Sequence, residues 1–248
     1  MTLTDEDRGD AGKVRTTGTP PKAVNPVAYR DALRDAFPDY DYADGAMYFW
    51  RFNLFERLVA KHGLPSGASM LNVGCGPFAL EALSPTARQC RVTAFDYTPE
   101  FGPVFEILRA RHLLEDVTFF VGDIREVSFP EASFDIIVFH DVFYEAALSA
   151  PDVIARYVPF LKPGGLVYFD IMDRRAKWLW QLLRSERPEY RRYDVASALD
   201  RIRAAGLELL DCCPTDENRT GIKRLVQKAI RLTTGTANSF GVMARRKE

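Results

Sequence analysis

Along the middle of the chain, short runs of apolar residues alternate with stretches whose apolar positions fall three and four apart. That switch between strand and helix periods is the spacing of repeated strand–helix–strand units. Ser69 to Val73 reads as a first strand, followed by a glycine loop and a helix. Arg91 to Phe95 reads as a second, leading into a helix from about Glu100 to Leu114. Val117 to Val121 is a third, and Phe134 to Phe139, apolar on both faces, has the pattern of a central parallel strand. The turn Lys162-Pro163-Gly164-Gly165 launches a fifth strand, Leu166 to Ile171. A helix from about Asp194 to Ala205 precedes two last strands, Leu207 to Cys212 and Phe240 to Ala244.

The pattern is different upstream. Residues 1–25 are rich in Asp, Thr, Gly and Pro and nearly lack large apolar side chains, so they cannot bury enough surface to offset ordering and are expected to form a mobile tail. Residues 26–62 reverse that composition and predict two helices, the second from about Gly45 to His62. Between Tyr29 and Phe55, nine of 27 residues are aromatic, against 12% for the whole chain. Residues 63–248 then form one domain, with no internal repeat and no linker.

Composition adds exclusions. At 248 residues, 47% hydrophobic and 27% charged, the chain is ordinary for a globular protein, and 33 basic against 34 acidic side chains create no global field toward nucleic acid or an anionic membrane. The charge is unevenly placed: residues 1–173 carry a net of −9 and residues 174–248 a net of +8. The four cysteines form no C-x-x-C pair, which indicates neither a zinc site nor a disulfide framework and makes a reducing cytoplasm the default. No apolar run reaches the roughly 18 to 20 residues that span a bilayer, and the N-terminus is acidic where a signal peptide would be basic, so a soluble, unexported protein is expected.

The stretch Leu71-Asn72-Val73-Gly74-Cys75-Gly76-Pro77-Phe78-Ala79 closes a strand, turns on glycines and opens a helix. Gly74 and Gly76 permit a tight turn and a close approach to a ligand, and free N–H groups at the helix start favour an anionic group. Gly74, Gly76 and Ala79 also satisfy a dinucleotide-binding pattern, with Asp96 twenty residues after Gly76. A short-chain dehydrogenase would need Tyr-x-x-x-Lys, however, and no tyrosine here has a lysine four residues on.

Taken together, Val73-Gly74-Cys75-Gly76, Phe95-Asp96, Gly122-Asp123-Ile124, Phe134 to Val138 and Leu161-Lys162-Pro163-Gly164-Gly165 resemble the ordered motifs of class I S-adenosylmethionine-dependent methyltransferases, over about residues 45–245. The resemblance implies an α/β, Rossmann-like, seven-stranded and mostly parallel sheet with helices on both faces, an antiparallel last strand and a helical N-terminal lid. It implies S-adenosylmethionine as cofactor, with Asn72, Gly74, Cys75 and Gly76 around the methionine moiety, Asp96 and Tyr97 at the ribose, and Asp123 and Ile124 at the adenine. Two positions depart from the family's usual pattern. Asn72 stands where an acidic residue is usual and cannot supply its charge, and Phe78 replaces a frequent third glycine and is expected to narrow the loop.

Ligands of open parallel sheets lie beyond the carboxyl ends of the strands, which places Phe139 to Glu145 beside the reactive methyl. His140 is the candidate general base, because imidazole titrates near neutrality. It could equally orient the loop, and both readings stay open at this point; it is also a candidate cofactor contact. Asp141 and Tyr144 are further candidates, as catalytic groups or as cap and pocket wall. In the aromatic segment, Tyr40, Tyr42 and Tyr48 are the candidate acceptor contacts, whereas Phe49, Phe52 and Phe55 have the spacing of a core-packed helix. No cluster of metal ligands surrounds His62 or His112, so no metal is expected.

The sequence thus points to methyl transfer from S-adenosylmethionine to an oxygen or nitrogen of a small organic molecule. The basic stretches 174–192 and 219–231 suggest an anionic acceptor, with no membrane or nucleic-acid partner. Two alternatives stand beside this reading: an RNA or protein methyltransferase, and a cofactor-binding scaffold that transfers no methyl.

Overall fold

The computed structural model describes residues 25–38, 46–177, 181, 190–215, 225, 228, 231–233 and 235–248, and side chains outside residues 46–51 within them. The expected tail therefore lies outside the described residues, apart from Asn25.

Seven strands form one sheet: β1 (Ser69–Val73), β2 (Arg91–Asp96), β3 (Val117–Val121), β4 (Phe134–Phe139), β5 (Leu161–Met172), β6 (Leu207–Pro214) and β7 (Ser239–Arg246). Their order is β3-β2-β1-β4-β5-β7-β6. The first five run parallel, while β7 is antiparallel to both β5 and β6. Chain order reverses direction across the sheet between β1 and β4, and this switch point opens a crevice at the carboxyl ends of the strands.

Successive side chains of a strand point to opposite faces, and the core divides accordingly. Met70 joins one cluster with Ile136, Val138 and Tyr168; Leu71 and Val73 join the other with Ile137, Phe139 and Phe169. The first face is covered by α1 (Pro26–Ala36), α2 (Ala46–His62), α3 (Ala79–Leu83) and α4 (Phe101–Ala110). The second is covered by α5 (Ala150–Tyr157) and α6 (Val195–Ala204).

Both N-terminal helices are built into this core. Asn25 caps α1 by accepting from the Val27 N–H, and the buried Tyr29 hydroxyl donates to the Pro77 carbonyl in the glycine loop. Phe55 of α2 packs edge-on against Tyr168 of β5, with 5.2 Å between centroids. At its far end, Lys61 and His62 both bond Asp211 of β6; burial alone would raise that carboxyl, but the two bonds outweigh it and hold it below its ordinary value.

Three elements differ from the sequence reading. The helix expected to reach Leu114 ends at Ala110, because His112 turns the chain through the left-handed region at φ 56°. The fifth strand begins at Leu161 and includes the Lys-Pro-Gly-Gly turn, which lies so close to β4 that a Cβ on Gly165 would sit 3.2 Å from the Asp135 carbonyl. Helix α5 went unread, although Ala150, Val153, Ile154 and Tyr157 bury one face at helical spacing. Among the described residues, no helix is long and apolar enough to cross a membrane.

Two glycines test this packing. A Cβ on Gly241 would lie 2.7 Å from Leu54 Cδ2 and 2.8 Å from the Tyr168 hydroxyl, so Gly241→Ala should destabilise the protein by about 1–3 kcal/mol. A Cβ on Gly102, inside α4, would meet nothing within 4 Å, so Gly102→Ala should stabilise by about 0.4–1 kcal/mol. Denaturant midpoints that shift in opposite directions are the expected result.

Candidate functional site

A cavity of about 600 Å³ occupies the crevice at the switch point. It gathers Asn72, Gly74, Cys75, Gly76, Asp96, Tyr97, Asp123, Ile124, His140, Asp141 and Tyr144, the predicted site residues from the ends of four strands and the loops that follow them. A second hollow, about 520 Å³, lies at the opposite ends of the strands beside Ser69, Arg91 and Val117 and brings together none of them. Tyr40 and Tyr42 lie outside the described residues; the backbone of Tyr48 is in α2, but its side chain also lies outside them.

The end of β2 shapes the glycine loop. The Phe95 carbonyl accepts from the N–H groups of Gly74 (2.9 Å) and Cys75 (3.1 Å). The Asp96 carboxylate accepts from the N–H of Gly76 and of Thr98, both at 3.0 Å. The loop N–H groups of Gly74, Cys75 and Gly76 are therefore taken by the protein's own acceptors. Gly74 (φ 66°) and Gly76 (φ 57°) both occupy the left-handed region. A Cβ on Gly74 would lie 2.9 Å from Val142 Cγ2, while the space beside Gly76 is open. Phe78 does not narrow the loop. Its backbone takes the left-handed conformation at φ 63°, and its buried ring turns away from the cavity to pack on Phe105 and Phe119, at 5.4 and 5.0 Å.

Asp123 follows β3 and closes a tight turn by accepting from the Arg125 N–H at 2.8 Å. The Arg125 guanidinium also bonds both of its oxygens, and chiefly these bonds pull the carboxyl down to about 2. Asp123 is thus a fixed anion at the cavity edge, with Arg125 beside it as a cation that the sequence reading did not single out.

His140 leaves β4 between two rings, 5.1 Å from Phe52 and 6.2 Å from Tyr168, nearly parallel to the latter. The next residue, Asp141, is left-handed at φ 60°, and its N–H donates to both oxygens of Asp170, at 3.0 and 3.1 Å. Tyr144 packs against Tyr190 at 5.4 Å, and its carbonyl accepts from the Arg191 N–H at 2.6 Å. Tyr190 had no local signal in the sequence, since only the tertiary fold carries it to this wall.

The described members of the first basic stretch mostly hold structure. Arg174 pairs with Asp194, Arg191 donates to the carbonyls of Ala146 and Leu148, and Arg192 bonds the Asp173 carbonyl and Asn238. Arg175 grips the fully buried carboxylate of Asp173, which also accepts from Thr236. Arg184, Arg187, Arg219, Lys223 and Arg224 lie outside the described residues.

Beneath the glycine loop, Asn72 Nδ2 donates to Glu81 Oε1 of α3, leaving Asn72 Oδ1 and Glu81 Oε2 buried without partners. Burial pushes the Cys75 thiol well up, and nearby Glu81 and Asp96 push it the same way, so it stays a neutral thiol. A buried acceptor on the cavity wall, open space at Gly76 and a carboxylate at the end of β2 fit a cofactor with a cationic amino acid end and a ribose.

Residues 71–169 match the methyltransferase domain family. Malonyl-[acyl-carrier protein] O-methyltransferase of Serratia marcescens is 28% identical over 149 residues, covering 60% of this chain and 54% of that protein. Sterol 24-C-methyltransferase of Eremothecium gossypii is 26% identical over 217 residues, covering 73% and 53%. The chain therefore spans about half the length of these curated relatives. The methyltransferase solved in complex with the Haloferax volcanii Trm112 activator shares the fold, with a TM-score of 0.64 at 20% identity over 87% of this chain and 98% of that one. The glycine loop, the strand order and the matched domain agree: residues 71–169 form a methyltransferase domain, set in a seven-stranded fold shared with that methyltransferase.

Proposed function

We propose that the protein transfers a methyl group from S-adenosylmethionine to an oxygen or nitrogen of a small organic molecule. The observation that carries this reading is the single cavity at the switch point, which unites the glycine loop, Asp96, Asp123 and His140. The cofactor supplies a methyl group activated on a sulfonium; the protein's task is to align it with the acceptor and exclude water. Oriented intramolecular reactions reach effective molarities of roughly 10⁵–10⁸ M, so alignment alone is a large contribution. In this reading, Gly74, Cys75 and Gly76 face the methionine moiety, Asp96 and Tyr97 the ribose, and Asp123 and Ile124 the adenine. Asp96 keeps acceptor capacity after its backbone bonds, since each carboxylate oxygen accepts more than once, whereas Asp123 would take the adenine in exchange for part of its bonding to Arg125. Residues 63–248 form the catalytic domain and 26–62 its lid, with Phe52 bringing an aromatic wall from α2 to His140. His140 takes a proton from the acceptor, and Asp141, Tyr144 and Tyr190 bound the acceptor space.

An anionic acceptor, free or presented on a carrier, is supported by the basic residues of 219–231, which include no acid. The Serratia relative, named for a malonyl group on an acyl-carrier protein, is one precedent for such an acceptor.

Three measurements test the reading. Replacing Asp96 by Ala removes charge-assisted hydrogen bonds worth about 1.5–3 kcal/mol, so affinity for S-adenosylhomocysteine should fall about 10- to 150-fold by calorimetry. Unchanged affinity would remove Asp96 from the site. For His140→Ala, kcat should drop by roughly 10² to 10⁴ with cofactor affinity nearly intact; a small loss of rate would leave alignment as the whole mechanism. With an acceptor in hand, kcat/KM should weaken steeply with ionic strength and after Arg224→Glu with Lys228→Glu. A flat salt profile and wild-type kinetics would make the basic segment ordinary surface.

A further inference from the structure

Glu81 lies inside α3 with 2% of its surface exposed. The Asn72 amide is the side chain that bonds it among the described residues, through Nδ2 to Oε1. Glu81 Oε2 and Asn72 Oδ1 are both left buried and unpartnered. Asn72 itself is 2% exposed and lines the cavity two residues before Gly74, whereas Glu81 sits behind it, off the cavity wall.

Charged groups on the elements packed around α3 are engaged elsewhere. Glu56 of α2 takes the hydroxyls of Ser84 and Thr86, Arg88 donates to the carbonyls of Ala82 and Leu113, and Arg30 of α1 pairs with Asp31 at 3.6 Å. Across the glycine loop stand the neutral Cys75 thiol and Asp96, which is bonded to Gly76 and Thr98. Burial pushes the Glu81 carboxyl up to about 7, against the pull of the Asn72 amide and the backbone.

We propose that Asn72 and Glu81 form a proton-linked acceptor for the ammonium group at the methionine end of the cofactor. The inference rests on the cofactor reading above and goes beyond it, because it gives a role to a helix residue that the motifs do not include. In the empty site, a proton on Glu81 Oε2 is donated to Asn72 Oδ1 while the amide donates back to Oε1. One proton then satisfies both orphaned atoms, and the pair is neutral. When an ammonium N–H donates to Asn72 Oδ1 from the cavity, the Glu81 O–H bond breaks, its proton passes to water, and the carboxylate balances the ammonium charge through the amide. The acid usual at position 72 is thereby set one step back, on α3.

The sign of the linkage follows from the raised carboxyl. The folded, empty protein holds a proton on Glu81 that the unfolded chain gives up near the ordinary value of 4.5, so this site's contribution to stability is lost as pH rises from there through about 7. A cation that favours the ionised form binds more tightly as pH rises over the same range.

The test is calorimetric titration of the full chain with S-adenosylhomocysteine, and with methylthioadenosine, which lacks the amino acid end. In the wild type, S-adenosylhomocysteine should bind about tenfold more tightly at pH 8 than at pH 6. In two buffers of different ionisation heat it should release close to one proton at pH 6. Methylthioadenosine should show neither effect. Glu81→Gln mimics the neutral pair, so its affinity for S-adenosylhomocysteine should be flat with pH, and the empty variant should gain thermal stability on the wild type between pH 5 and 8. The same pH slope in Glu81→Gln, or binding by the wild type without proton release, would overturn the proposal. If neither ligand bound the wild type at all, the cofactor reading itself would fail.

Discussion

The site depends on the last turn of β2, where one carbonyl and one carboxylate take four backbone N–H groups. Phe95 accepts from Gly74 and Cys75, and Asp96 from Gly76 and Thr98. Two glycines and Phe78, all in the left-handed region, are held open by these bonds and by the Phe78 ring in the core below. Left-handed backbone on a non-glycine residue persists only where its surroundings over-determine it. Here the Phe105 and Phe119 rings and the Tyr29–Pro77 bond supply that constraint. The loop's shape therefore reaches back to α1 and α4.

A second strained loop locks against the first. Asp141 is also left-handed, fixed by Asp170, and its neighbour Val142 fills the space where a Cβ on Gly74 would stand. The two walls of the crevice meet at that contact. The β4 loop is in turn tied to Tyr190 and Arg191, and Asp173 binds the root of the stretch leading there to Thr236 and Asn238. The wall formed by the β4 loop is thus braced from the antiparallel end of the sheet and the wall formed by the glycine loop from the parallel end.

Sequence reading recovered what depends on local pattern. Strand β1 starts and ends where its apolar run does, and the motif residues meet in one cavity because parallel strands deliver their carboxyl ends to one edge. It erred where a local signal has two tertiary outcomes. Phe78 was expected in the loop's lumen, but a left-handed residue at a helix start can direct its side chain to either side, and the aromatic core decided. Arg125 belongs to no motif, although two positions after Asp123 it is placed to close a turn and pair back. Glu81 stands in the first turn of α3, and nothing local says that the helix would bury it against Asn72.

Charge shows the same division between pattern and place. The excess of basic residues after position 173 looked like a functional field, yet Arg174, Arg175, Arg191 and Arg192 pair with acids or cap carbonyls around the site's foundations. An arginine that satisfies buried acceptors is held for geometry, and its field is partly cancelled by the partner it neutralises. The cavity's own charges run the other way. Asp96 and Asp123 line it with Glu81 behind Asn72, and Arg125 pairs back to Asp123 at its edge. An acidic lining favours a ligand with both a sulfonium and an ammonium, and it would favour the neutral-sulfur product less. In the proposed reading, the electrostatics that hold the cofactor would therefore also weaken with the transfer of its methyl group, which would assist release of the product.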